Sequence, residues 1–293
     1  MYFASSMMLS YYDSAKKQQA SARITWKHEQ IFYLCCSFAQ AFCTFVLEIL
    51  TEMANIFLST IINTHEPQPD DKYPFNIPVI KHLNELHFTT SVTYIIGENG
   101  SGKSTLLEAI AVRMGMNAEG GGRNFNFRTT ETHSELYEAL KTVKTPYYLY
   151  DNFFYRAESF YNAVSYLESL PDNPFYSYGG KSLHERSHGE GMVNFFENRL
   201  EQGFYIFDEP EAALSYQNQL RFLLWMKNAV DAGSQIIIST HSPVILAYPD
   251  ATILVIGENG LEPTTYEDCY IYRDMYAFVS NVKLIQQELG LYD

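Results

Sequence analysis

Gly97 to Ser104 reads GENGSGKS, the residue types and spacing of a loop that wraps phosphate. Gly97, Gly100 and Gly102 let successive N–H groups turn inward around an anion, with Glu98, Asn99 and Ser101 completing the turn. Lys103 is placed to reach β and γ phosphates, and the Ser104 hydroxyl to ligate Mg²⁺, so ATP with Mg²⁺ is the expected ligand pair. Thr105 carries the chain into a helix. A second cluster, FDEPE, sets Asp208 and Glu209 side by side at the end of an apolar run: one acid to hold the metal, the other to orient or deprotonate an attacking water. A third, STHSP, places His241 behind the apolar QIII, where an imidazole can bond the γ-phosphate and that water.

These residues need strands to aim them. SVTYII precedes the phosphate loop and TLLEAIAVRM follows it, the strand and helix that such a loop requires. Short apolar runs at 204–207 and 236–240, with a helix over about 217–230 between them, read as buried parallel strands, whose C-terminal ends are where α/β proteins bind ligands. Further strands are expected at 57–62, 91–96 and 147–155. GENG recurs at 257–260, but no lysine follows. There Asn259-Gly260 reads as a hairpin turn between two edge strands. The fold class is α/β, a P-loop NTPase with a mostly parallel core sheet, flanking helices and an antiparallel edge.

In this order the motifs resemble the ATP-binding-cassette ATPases in their RecF and SMC-like branch, and a small, stand-alone bacterial group of AAA-family ATPases. The resemblance runs over about residues 53–293. It implies a head-like ATPase fold in which Gly97–Ser104 is Walker A, Asp208 the Walker B aspartate, Glu209 the catalytic glutamate and His241 the switch histidine. It also assigns the signature motif to SHGEG, with Ser187, Gly189 and Glu190 in the family's positions and His188 where a glycine is usual. Ser187 and the N–H groups before a helix from about Met192 suit a γ-phosphate, and in the family that contact is made to ATP held by a second subunit. An ATP-dependent homodimer is therefore implied. Glu158 takes the Q-loop place although no glutamine stands there, and EAALS ends in Ser215 where the family has Asp. Only 84 positions separate Lys103 from Ser187, too few for a long coiled coil. The insertion carries Arg123, Arg128 and Arg156, cations that suit phosphate or, more commonly, solvent.

Composition narrows the partners. With 46% hydrophobic residues the chain supports a core, and its net charge of −14 gives no broad positive field for a nucleic-acid backbone. DNA or another protein remains open as a partner through a local patch. Three of the four cysteines cluster at Cys35, Cys36 and Cys43, and none has metal-site spacing, which suits a reduced, cytoplasmic chain. Residues 1–52 are electroneutral and form a separate N-terminal extension. Its charge-free run Ile31–Leu47 is 17 residues long, just under the length of a membrane span. Three readings stand: sequence upstream of a true start at Met53, a helix packed on the main domain, or a marginal membrane segment. Membrane contact by the domain at 53–293 is not expected. The leading function is Mg²⁺-dependent ATP hydrolysis coupled to homodimerisation, with a non-hydrolysing regulatory module or the ATP-binding subunit of a transporter as alternatives.

Overall fold

Apolar runs without polar alternation demand a sheet covered on both faces, and the chain builds one. A computed structural model describes residues 56–122, 134–146, 149–157, 159–160, 188–198 and 202–291, all within the unit Glu52–Asp293. Strands β1 (Leu58–Asn63), β2 (Glu85–His87) and β4 (Leu140–Lys144) form an antiparallel sheet in the order β2-β1-β4. Strands β3 (Val92–Ile96), β5 (Asp151–Arg156), β6 (Gly203–Asp208), β7 (Gln235–Ser239), β8 (Thr252–Gly257) and β9 (Gly260–Thr264) form the main sheet in the order β5-β6-β7-β3-β8-β9. All its pairings are parallel except β8 with β9. The α/β class with an antiparallel edge is as expected.

The strands are divided between two cores by the period-2 alternation of their side chains. On one face lie Val92, Tyr94, Ile96, Tyr205, Phe207, Ile236 and Ile238, under helices α2 (His188–Glu197) and α3 (Tyr216–Asp231). On the other lie Ile95, Phe204, Ile206 and Ile237, under α1 (Lys103–Arg113) and the smaller sheet. Trp225 of α3 sits 5.4 Å from Phe207 and 5.1 Å from Phe196 of α2, so aromatic packing sets α2 and α3 against the strand that ends in Asp208. A buried amide joins the two sheets: Gln235 Oε1 accepts from the N–H groups of Phe57 and Leu58 at 3.0 and 2.8 Å, and its Nε2 donates to Leu58 O at 2.9 Å.

Two local readings are corrected. Gly257 pairs with Gly260, so the hairpin loop is Glu258-Asn259 rather than Asn259-Gly260, and β8 lies between β3 and β9, so of the two hairpin strands β9 alone is at an edge. The helix expected from about Met192 starts at His188. Gly189 and Glu190 therefore belong to its first turn, where their backbone is helical. Ser215 is the N-cap of α3, its Oγ accepting from Asn218 N at 3.4 Å. Two C-terminal helices, α4 (Tyr270–Ser280) and α5 (Val282–Glu288), had no motif to announce them. Among the described residues no helix is long and apolar enough to cross a membrane.

Candidate nucleotide site

Strand order assembles the motifs: β7 lies between β6 and β3, so the loops after β3, β6 and β7 emerge side by side at one end of the sheet. Asp208 is in register with Ser239, the last residue of β7. The phosphate loop turns into α1 through Gly102, whose φ of 100° is left-handed. A Cβ there would stand 2.6 Å from Ile77 Cγ2 and 2.9 Å from Val79 Cγ1, so only glycine meets both the conformation and the space. Lys103 opens the helix, and its Nζ donates to Gly97 O at 2.7 Å and Glu98 O at 3.0 Å. Burial lowers the Lys103 pKa, against the opposing pull of Glu209, Asp208 and Glu211.

Asp208 is buried, and both its oxygens have donors. Oδ1 accepts from Ser104 Oγ at 3.1 Å and Ser239 Oγ at 2.7 Å, while Oδ2 accepts from Arg156 Nε at 3.4 Å. Ser104 and Asp208 thus meet across the sheet end, a hydroxyl and a carboxylate such as Mg²⁺ takes alongside phosphate oxygens. No group of three or more His, Cys, Asp or Glu that would form an all-protein metal cage occurs among the described residues. The fit to a divalent cation rests on the Ser104 hydroxyl and the Asp208 carboxylate, which offer oxygen donors side by side.

Glu209 follows in a left-handed conformation, φ 50° and ψ 57°, costly for a residue with a side chain by about 1–3 kcal/mol. Its N–H is held by Ser239 O at 3.1 Å and Ser239 Oγ at 3.2 Å. That turn brings Glu209 Oε1 to 3.6 Å from His241 Nε2, which is buried and has no hydrogen-bond partner. Burial lowers the His241 pKa, with Lys103 adding to the shift and Glu209 opposing it, so the ring is neutral at neutral pH. The His241 loop is tied down by Glu211, which accepts from the His241 N–H and, at 2.8 Å, from Thr240 Oγ1. Ser101 Oγ in the phosphate loop is likewise buried without a partner. Two buried polar atoms without partners, one in the phosphate loop and one in the loop after β7, suit a polar ligand.

Among the sequence-expected residues, the structure gathers Gly97–Thr105, Asp208, Glu209 and His241. Thr105 Oγ1 lies 3.4 Å from Tyr73 OH at the rim. Glu158 and Ser187 fall outside the described residues, as do Arg123 and Arg128. Sequence reasoning missed Ser239, Glu211 and Glu108 and read Arg156 as a loop cation for phosphate or, more commonly, solvent. Arg156 instead ends β5 and bonds Glu108 Oε2 at 2.9 Å as well as Asp208. The available signal was Glu108 four residues after Ser104, one turn along the same helix face.

Comparisons with known proteins come from three directions. Residues 75–153 match a family model described as AAA domain, and residues 128–246 match one described as AAA ATPase domain. No curated protein matches the chain. The SMC head domain from Thermotoga maritima is similar at 15% identity, with 72% of this chain and 100% of that chain covered and a TM-score of 0.38. CbiO1 from Clostridium perfringens, part of the ABC transporter complex cbiONQ, is similar at 18% identity, with 80% and 99% covered and a TM-score of 0.44. The two family matches together run from the segment before the phosphate loop to beyond His241, and over that stretch the chain is similar to AAA ATPase domains.

Proposed function

We propose that this chain binds ATP with Mg²⁺, hydrolyses it to ADP and phosphate, and closes as a homodimer around the nucleotide. The observation that carries the reading is the Ser104–Asp208 contact at 3.1 Å, which joins the phosphate loop to the acid strand at the mouth of the same loop cluster. Lys103 exchanges the carbonyls of Gly97 and Glu98 for β and γ phosphate oxygens. Glu209 takes the proton of the water that attacks the γ-phosphorus, as the bond to the β–γ bridging oxygen breaks. Neutral His241 bonds the γ-phosphate through Nε2, the atom that has no other partner. Mg²⁺, held by Ser104 and Asp208, supplies charge neutralisation for the phosphate oxygens.

Dimer closure is supported by the SHGEG segment. Its His188, Gly189 and Glu190 open a ten-residue helix, a start that favours anions, whereas the phosphate loop already furnishes one complete cradle. Glu209→Gln should retain ATP and lose phosphate release, and Lys103→Ala should lose ATP affinity while remaining folded. Light scattering of the Glu209→Gln protein should show a dimer with MgATP that Ser187→Arg abolishes. Unchanged turnover in Glu209→Gln removes that residue from the role of base. A MgATP-bound monomer at tens of micromolar, above the usual range of specific association, removes the dimer.

A further inference from the structure

The metal ligand already has a cation. Arg156 pairs in register with Asp208, and its side chain, only 23% exposed, forks its guanidinium between two acids. Nη1 donates to Glu108 Oε2 at 2.9 Å and Nε to Asp208 Oδ2 at 3.4 Å. The Phe154 ring lies 5.6 Å beneath it. Since Ser104 and Ser239 take the other carboxylate oxygen, Asp208 has donors on both oxygens before any metal arrives. A buried carboxylate stripped of counter-charge is costly, so this arrangement gives Asp208 a partner charge and holds the strand end in place. The two arms are unequal: the Glu108 contact is short and the Asp208 contact long, so the second is the one that yields.

We infer that Arg156 is a placeholder for the metal, holding Asp208 in the nucleotide-free site and giving up that contact when the metal arrives, while Glu108 retains the guanidinium. This rests on the reading of Asp208 as the metal-holding acid. Arg156 is then a positioning residue, and it weakens metal binding by competing for Asp208. The consequence is thermodynamic: the factor by which Mg²⁺ tightens nucleotide binding is reduced by the free energy of the contact that must be released.

Titration of a fluorescent ADP analogue into the full chain, in EDTA and in Mg²⁺, measures that factor directly. In Arg156→Gln it should rise about tenfold, the scale of a charge-assisted hydrogen bond weakened by length. Arg156→Lys is the decisive variant, because an ammonium keeps the charge but lacks the planar fork and stays with the nearer Glu108. A factor raised in both variants is the expected result. A factor raised in Arg156→Gln but unchanged in Arg156→Lys would mean that only the general positive field matters, and would overturn the placeholder. Equal factors in all three proteins overturn it too. Absence of any Mg²⁺ effect in the unaltered protein overturns both this inference and the metal reading beneath it, so the two failures are distinct.

Discussion

Ser239→Ala removes one oxygen from the most constrained point of the site. The Ser239 side chain is fully buried; its hydroxyl donates to Asp208 Oδ1 at 2.7 Å and accepts from Glu209 N at 3.2 Å. A hydrogen bond to a charged acceptor contributes about 1.5–3 kcal/mol. Here the lower part of that range applies. Asp208 Oδ1 keeps Ser104, and the Glu209 N–H keeps the Ser239 carbonyl at 3.1 Å. The expected loss of stability is about 2 kcal/mol, with no cavity larger than the missing hydroxyl. Urea denaturation in EDTA reads it. The same change loosens both acids, so MgATP turnover should fall about tenfold, equivalent to about 1.4 kcal/mol of transition-state stabilisation. ADP affinity measured without metal should not change, because Lys103 bonds the carbonyls of Gly97 and Glu98, and Ser239 meets the phosphate loop only through the Asp208 oxygen it shares with Ser104. A stability loss below about 0.5 kcal/mol, or an equal fall in metal-free ADP affinity, would refute the claim that this hydroxyl acts through the acid pair.

Gly102→Ala should destabilise the domain by about 1–2 kcal/mol or more through its left-handed φ and the Ile77 and Val79 contacts, read as a lower urea midpoint. Burial, opposed by bonds from the His241 and Glu211 N–H groups and Thr240, raises the Glu211 pKa above 4.5. The native state therefore holds more protons than the unfolded state as pH rises from 4.5 through the folded value, and this group's contribution to stability falls across that window. Glu211→Gln removes that contribution, so the stability of the variant relative to the unaltered protein should improve as pH rises from 4.5. A flat or opposite trend in pH-dependent denaturation contradicts it.

How much of this was legible beforehand depended on whether a residue acts through its own chain neighbours. The phosphate loop announces itself because Gly102 and Lys103 do their work within eight residues of sequence. The buried strands were legible for a related reason: VTYII, GFYIFD and QIIIS are covered on both faces, so each reads as a short apolar run without polar alternation. Arg156 and Glu108 were not, since their meaning comes from β5 lying beside β6, a pairing across 52 residues between Arg156 and Asp208. The smaller sheet was partly hidden because β4, LKTVK, is half exposed and carries two lysines, so periodicity alone did not mark it as a strand. The hairpin shift by one residue has a local cause: Gly260, at φ 110°, closes the ladder opposite Gly257 instead of occupying the loop.

The Gln235 amide has a mechanical consequence. It grips β1 at the start of β7, and Ser239 grips Asp208 at the end of the same strand, roughly 13 Å away at the ordinary rise of an extended chain. Every residue between them is buried, and both neighbours of β7 are hydrogen-bonded to it along its length. Such a strand is stiff in tension. The smaller sheet is thereby tethered to Asp208 at the far end of β7, and a pull on β1 is felt there with little slack in the line.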